Sequence, residues 1–128
     1  MEMIVGLKGQ ASTLVEREDT ALEVGSGSLL VYATPCMVAL MEGAACDAIA
    51  ACLPDDKTSV GTMLNIKHLS ATPVGLEVRA EAELVEIDGS KLSFKICAYD
   101  ESGLIGEGVH ERFIVATQRF LDKTYSKL

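Results

Sequence analysis

The sequence predicts an α+β fold in which one long apolar helix is followed by about four antiparallel strands in a meander. Three observations lead there. Residues Cys36 to Leu53 form an almost wholly apolar run whose only charges are Glu42 and Asp47. From Ser59 to Ala116, apolar residues recur with a period of two, the mark of half-buried strands. Asp88-Gly89 and Asp100 to Gly103 are turn signals, placed where that region needs hairpins. Such a sheet turns one face to the helix and one to water.

Taken in order, residues 3 to 17 are mixed, with Ala11 to Val15 a short strand and Glu16 to Thr20 a charged turn. Gly25-Ser26-Gly27-Ser28 reads as a flexible stretch, and Leu29 to Tyr32 as a short apolar strand leading into the helix. Thr34 reads as the N-cap, because its hydroxyl can accept a first-turn N–H. Pro35 suits the first helical position, where a missing N–H costs nothing. Gly43, Ala44, Ala45, Ala48, Ala50 and Ala51 put small residues on nearly every side, as expected of a helix that a sheet wraps. Pro54 ends the run.

Val60, Thr62, Leu64, Ile66 and His68 then share one strand face in strict alternation, which puts His68 in line with the core side chains. Ser59, Gly61, Met63, Asn65 and Lys67 take the other face, Lys67 as a solvated lysine. Val74 to Leu84 alternates with Glu77, Arg79, Glu81 and Glu83, and the phase slips at Leu84-Val85, predicting a bulge. Leu92, Phe94, Ile96 and Ala98 mark the next strand. Leu104 to Ala116 marks the last, with Gly106, Gly108, His110 and Arg112 on one face. Gln118 to Leu128 is polar and suits a short helix.

Composition narrows the function. A chain of 128 residues predicts one domain over residues 1–128, and an apolar fraction of 48% supplies a core. A net charge of −8 and a pI near 4.7 disfavour nucleic acid and anionic membrane surfaces as partners. The N-terminus lacks a basic, apolar leader pattern, and Glu42 and Asp47 make Cys36 to Leu53 a core helix rather than a span. Cys36, Cys46, Cys52 and Cys97 form no CxxC and have no His at ligand spacing, so no metal site is expected. Unpaired thiols suit a reducing cytoplasm.

Glu42 is the residue that most needs a reason, since an apolar run makes a lone carboxylate costly unless it is paired or reactive. His68 titrates near neutral pH and sits on a core-facing strand.

The order Ala33-Thr34-Pro35, Glu42, Gly61-Thr62, His68-Leu69-Ser70-Ala71-Thr72-Pro73-Val74-Gly75 and Gly108-Val109-His110-Glu111-Arg112 resembles the fluoroacetyl-CoA thioesterase-like family of hotdog-fold proteins. The resemblance runs from about Leu29 to Ala116. It implies a curved antiparallel sheet wrapped around one long central helix. It implies homodimers, or larger assemblies, with sheets joined edge to edge and active sites near the interface. It also implies acyl-CoA thioester hydrolysis by Thr34, Glu42 and His68, with Gly61 and Arg112 contacting substrate. Coenzyme A is part of the substrate, and no cofactor is expected. One departure stands out: the fluoroacetyl-selective branch has aromatic lid residues before the helix, where this chain has Gly25-Ser26-Gly27-Ser28.

Thioester hydrolysis needs a nucleophile and a stabilised oxyanion; a thiol leaves readily. Glu42 can act as base on water or attack the acyl carbon, and the sequence supports either. His68 can relay the proton, while Thr34 can orient the carbonyl or bridge Glu42 to His68. N–H groups at the helix start and around Gly61 are candidate oxyanion donors. Met37, Met41 and Met63 are adaptable residues for an acyl pocket. The competing readings are a hotdog hydratase and an acyl-CoA or small-acid binding module without turnover. The hydratase would need an Asp five residues before a His, which neither His68 nor His110 has.

Overall fold

A computed structural model describes all 128 residues. The first strand, β1 (Lys8–Leu14), is followed by a 3₁₀ turn over Arg17–Asp19 and the short helix α1 (Ala21–Val24). The long helix α2 (Thr34–Ile49) continues as a 3₁₀ turn, Ala50–Cys52. The strands β2 (Lys57–His68), β3 (Glu77–Asp88), β4 (Lys91–Asp100) and β5 (Gly103–Ala116) come next, and α3 (Thr117–Tyr125) closes the chain. All five strands form one antiparallel sheet in the order β1-β3-β4-β5-β2.

The predicted turns and bulge are present. Gly89 takes φ 60 between β3 and β4, and Gly103 φ 137 after Asp100, conformations that favour glycine. The β3–β4 register shifts between Leu84 and Glu86, leaving Val85 as the extra residue. The start of the chain departs from expectation. Leu29 to Tyr32 joins no strand; it makes only isolated bridges, Thr20 to Tyr32 and Val31 to Pro73. Ala21–Val24 coils instead, ended by Gly25 in the left-handed region (φ 86).

The core lies between one face of α2 and one face of the sheet. Met37, Met41, Ala44, Ala45, Ala48 and Ile49 are buried against Val78, Ala80, Ala82, Leu84, Leu92, Phe94 and Ile96. The small helix residues permit close contact: a Cβ at Gly9 on β1 would run into the helix backbone at Ala44 and Ala48. Asp47 secures the same contact by accepting the Gln10 N–H at 3.0 Å. One stripe of the helix stays open. Pro35, Ala39, Gly43 and Asp47, four residues apart, form an exposed stripe, whose Asp47 end borders β1. The sheet curves around the rest of the helix, which meets β1, β3, β4 and β2, as expected.

Candidate active site

Two polar clusters, at opposite ends of β2, gather the residues singled out by sequence. The first is at the start of α2. Thr34 does not cap the helix; Ala33 occupies the N-cap position, with extended backbone (φ −73, ψ 137) and no side-chain cap. Thr34 is already helical, which frees its hydroxyl to meet His68 Nδ1 at 2.8 Å. His68 Nε2 is buried and has no hydrogen-bond partner. Burial holds the imidazole below its ordinary pKa and so favours the neutral ring, with a Ser70 backbone hydrogen bond acting the other way. Val31, Tyr32, Thr34, His68, Leu69 and Ser26 line a cleft of about 290 Å³ here.

The second cluster is built by a bulge that sequence periodicity did not reveal. The β2–β5 register slips between Gly61 and Met63, so Thr62 is the extra residue. Side chains before it change face relative to those after it. Leu64, Ile66 and His68 face inward as predicted, but Ser59 and Gly61 now join them, against the strict alternation. Across the sheet, Gly61 stands opposite Arg112, Leu64 opposite His110 and His68 opposite Gly106.

Arg112, 6% exposed, gathers this cluster. Its Nε donates to Ser59 Oγ at 2.9 Å and its Nη2 to the Ser59 carbonyl at 3.0 Å. Its Nη1 lies 3.3 Å from Glu42 Oε2 and 3.3 Å from His110 Nε2. The carboxylate in the apolar helix is thus paired. Glu42 is the more open partner, its side chain 35% exposed against 7% for Arg112. His110, which the sequence places on the strand face of Arg112, is fully buried and bonded at both nitrogens.

Gly61 shows why that position is bare. A Cβ there would collide with Glu42 Oε2, lie 3.2 Å from Arg112 Nη1 and 3.3 Å from His110 Cε1. Gly61→Ala should displace the carboxylate and lower turnover by about tenfold or more, with a stability loss of about 1–3 kcal/mol. Thioester kinetics and thermal melts of that variant check both parts.

The three residues expected to act together are not together in one chain. Thr34 bonds His68 but makes no hydrogen bond to Glu42. Glu42 lies eight positions after Thr34 along the helix, a rise of about 12 Å. His68 lies seven positions along β2 from Gly61, which abuts Glu42, a span of roughly 20 Å. Met37 and Met41 are wholly buried in the core and do not line the cleft beside His68, against expectation. Ser59 was missed because the bulge inverts its face assignment; His110 shares the strand face of Arg112 as the sequence places it, but spacing alone does not show that it meets the guanidinium.

A five-stranded antiparallel sheet in this order, laid on one long helix with Thr–His and Glu–Arg pairs at its inner face, defines a hotdog-fold thioesterase. A model of the fluoroacetyl-CoA-specific thioesterase family matches residues 15–118. A fluoroacetyl-CoA thioesterase of Streptantibioticus cattleyicolor is 40% identical over 97 residues, covering 76% of this chain and 70% of that protein. The structure superposes on a fluoroacetyl-CoA thioesterase with a TM-score of 0.93 at 33% identity, covering 100% of this chain and 99% of the other. A thioesterase superfamily member of Thermus thermophilus gives 0.83 at 28% identity, over 98% of this chain and 97% of its own. The chain belongs to the fluoroacetyl-CoA-specific thioesterase family.

Proposed function

We propose that this enzyme hydrolyses coenzyme A thioesters of small to medium acyl groups, and that two copies of the chain build each site. The observation that carries the reading is His68, with Nδ1 held by Thr34 and a buried Nε2 left free at the cleft. A core histidine would satisfy both nitrogens, as His110 does. A free nitrogen beside a cleft suits a proton relay to a substrate. That favours turnover over passive binding.

In the reaction, water or the Glu42 carboxylate attacks the acyl carbon, the carbonyl oxygen becomes an oxyanion, and the C–S bond breaks as the thiolate leaves. If water attacks, its proton passes to Glu42. If Glu42 attacks, an anhydride forms and water cleaves it. Arg112, 3.3 Å from Glu42 Oε2, holds the carboxylate in place for either role.

Assembly supports the same reading. Thr34–His68 of one copy would meet Glu42–Arg112 of the other, across the exposed stripe Pro35, Ala39, Gly43 and Asp47. Leu22, Val24, Leu29, Leu30 and Leu69 add exposed apolar surface on the segments bounding the cleft. A homodimer closes both and protects a sheet edge. The four unpaired thiols suit a reducing cytoplasm.

The acyl preference should be broad. Ser26 is the Gly25–Ser28 residue that lines the cleft, and no aromatic side chain comes from that segment. Discrimination by methylenes alone is worth about 1–3 kcal/mol each. Free-thiol release across a panel of short, branched and aromatic acyl-CoAs should show modest activity on several. Corrected for intrinsic reactivity, fluoroacetyl-CoA should exceed acetyl-CoA by no more than about tenfold in kcat/KM. No thiol release from any of them would leave the binding module.

A further inference from the structure

We propose that His110 is a positioning residue for this reaction: with Ser59 it fixes the Arg112 guanidinium, and through it the orientation of the Glu42 carboxylate. The proposal rests on the reading that Glu42 acts on the thioester.

The hydrogen bonds determine the state of the ring. His110 Nδ1 lies 2.8 Å from the Met63 carbonyl oxygen, which can only accept, so Nδ1 carries the proton. Nε2 faces Arg112 Nη1 at 3.3 Å, and a guanidinium can only donate, so Nε2 presents its lone pair. His110 is therefore the neutral Nδ1–H tautomer. Burial favours that form, as does the Arg112 charge, while Met63 and Glu42 act the other way. On β4, the Phe94 ring packs at a centroid distance of 5.9 Å. Enclosed on every side, His110 cannot reach substrate.

Its geometry does useful chemistry nonetheless. Ser59 grips the Nε–Nη2 edge of the guanidinium from β2, and His110 holds Nη1 from β5. Three contacts from two strands thus fix Arg112 independently of Glu42, and the remaining Nη1 contact is aimed at the carboxylate. A neutral acceptor is the right partner here. A second carboxylate would hold Arg112 equally well but would cancel the charge that Glu42 meets. An imidazole accepts the hydrogen bond and leaves that charge intact.

Two variants separate positioning from packing. In His110→Asn the amide can still donate to Met63, but nothing occupies the Nε2 position. In His110→Gln the longer side chain can again accept from Arg112. Both lose the ring, so a purely structural role predicts similar activity losses that track stability. The positioning role predicts instead that His110→Asn lowers kcat by about tenfold or more with KM little changed, and that His110→Gln recovers to within about threefold. In a Glu42→Gln background, His110→Asn should add less than about twofold, because the group it orients is gone. Should His110→Asn fail to fold, Ser59→Ala, which removes one acceptor, should give a smaller loss that likewise vanishes in the Glu42→Gln background. Folded Asn and Gln variants with unchanged kcat, or a loss that persists undiminished without Glu42, would overturn the proposal. Full activity in Glu42→Gln alone would instead defeat the functional reading beneath it.

Discussion

Glu42→Gln and His68→Ala should each lower thioester turnover by at least about a hundredfold, since removing a general base or nucleophile typically costs on the order of 10²–10⁴ in rate. The fold should survive both. Glutamine keeps an acceptor for Arg112, so the guanidinium is not left unpaired, and Ser59 and His110 hold it in any case. His68 sits at the end of β2, where truncation releases Thr34 rather than opening the core. Thr34→Ala should reduce the rate less. Its effect on stability should also be small, because Ala33, not Thr34, holds the N-cap position. Thiol-release kinetics with circular dichroism on each variant decide the matter. Near-native turnover in Glu42→Gln would remove the carboxylate from the chemistry.

Mixing those two inactive variants should restore activity. If each site takes Thr34–His68 from one copy and Glu42–Arg112 from the other, a heterodimer of His68→Ala and Glu42→Gln concentrates both lesions in one site. Its second site is intact. Random reassortment makes about half the dimers mixed, so roughly a quarter of wild-type activity should return. If one chain supplied all three residues, every mixed site would carry a lesion and activity would stay near one per cent, the level set by the single variants. The warrant is distance: within one chain, the two clusters are separated by roughly 20 Å along β2. Refolding the variants together, then measuring turnover against dimer fraction by light scattering, gives the answer. A fully active monomer of about 14 kDa would end the assembly reading.

How far the site was legible follows from the range of the interactions that build it. Apolar periodicity, a proline start and glycine turns are local, and they locate α2, the β3–β4 and β4–β5 hairpins and the bulge at Val85. That bulge was visible because apolar residues on both sides of it report the change of phase. The bulge at Thr62 was not, because Ser59, Gly61 and Thr62 carry no hydrophobic signal to shift. Leu29 to Tyr32 misled for a different reason: a short apolar run reads as a strand, yet here it makes only isolated bridges, Tyr32 alone is buried, and Leu29 and Leu30 stay exposed.

The sequence by itself determined the class of fold, the side of β2 that His68 faces, and the need of Glu42 for a partner. Each of these follows from spacing along the chain and from the cost of burying charge. Only the tertiary structure decided which partner Glu42 has, because Arg112 lies seventy residues away and reaches it through a register that one extra residue resets. It alone revealed His110 and Ser59 as the supports of Arg112, and Thr34 as a ligand of His68 rather than a helix cap. It also separated the expected triad into two clusters, since a strand extends about 3.3 Å per residue whatever chemistry its ends carry.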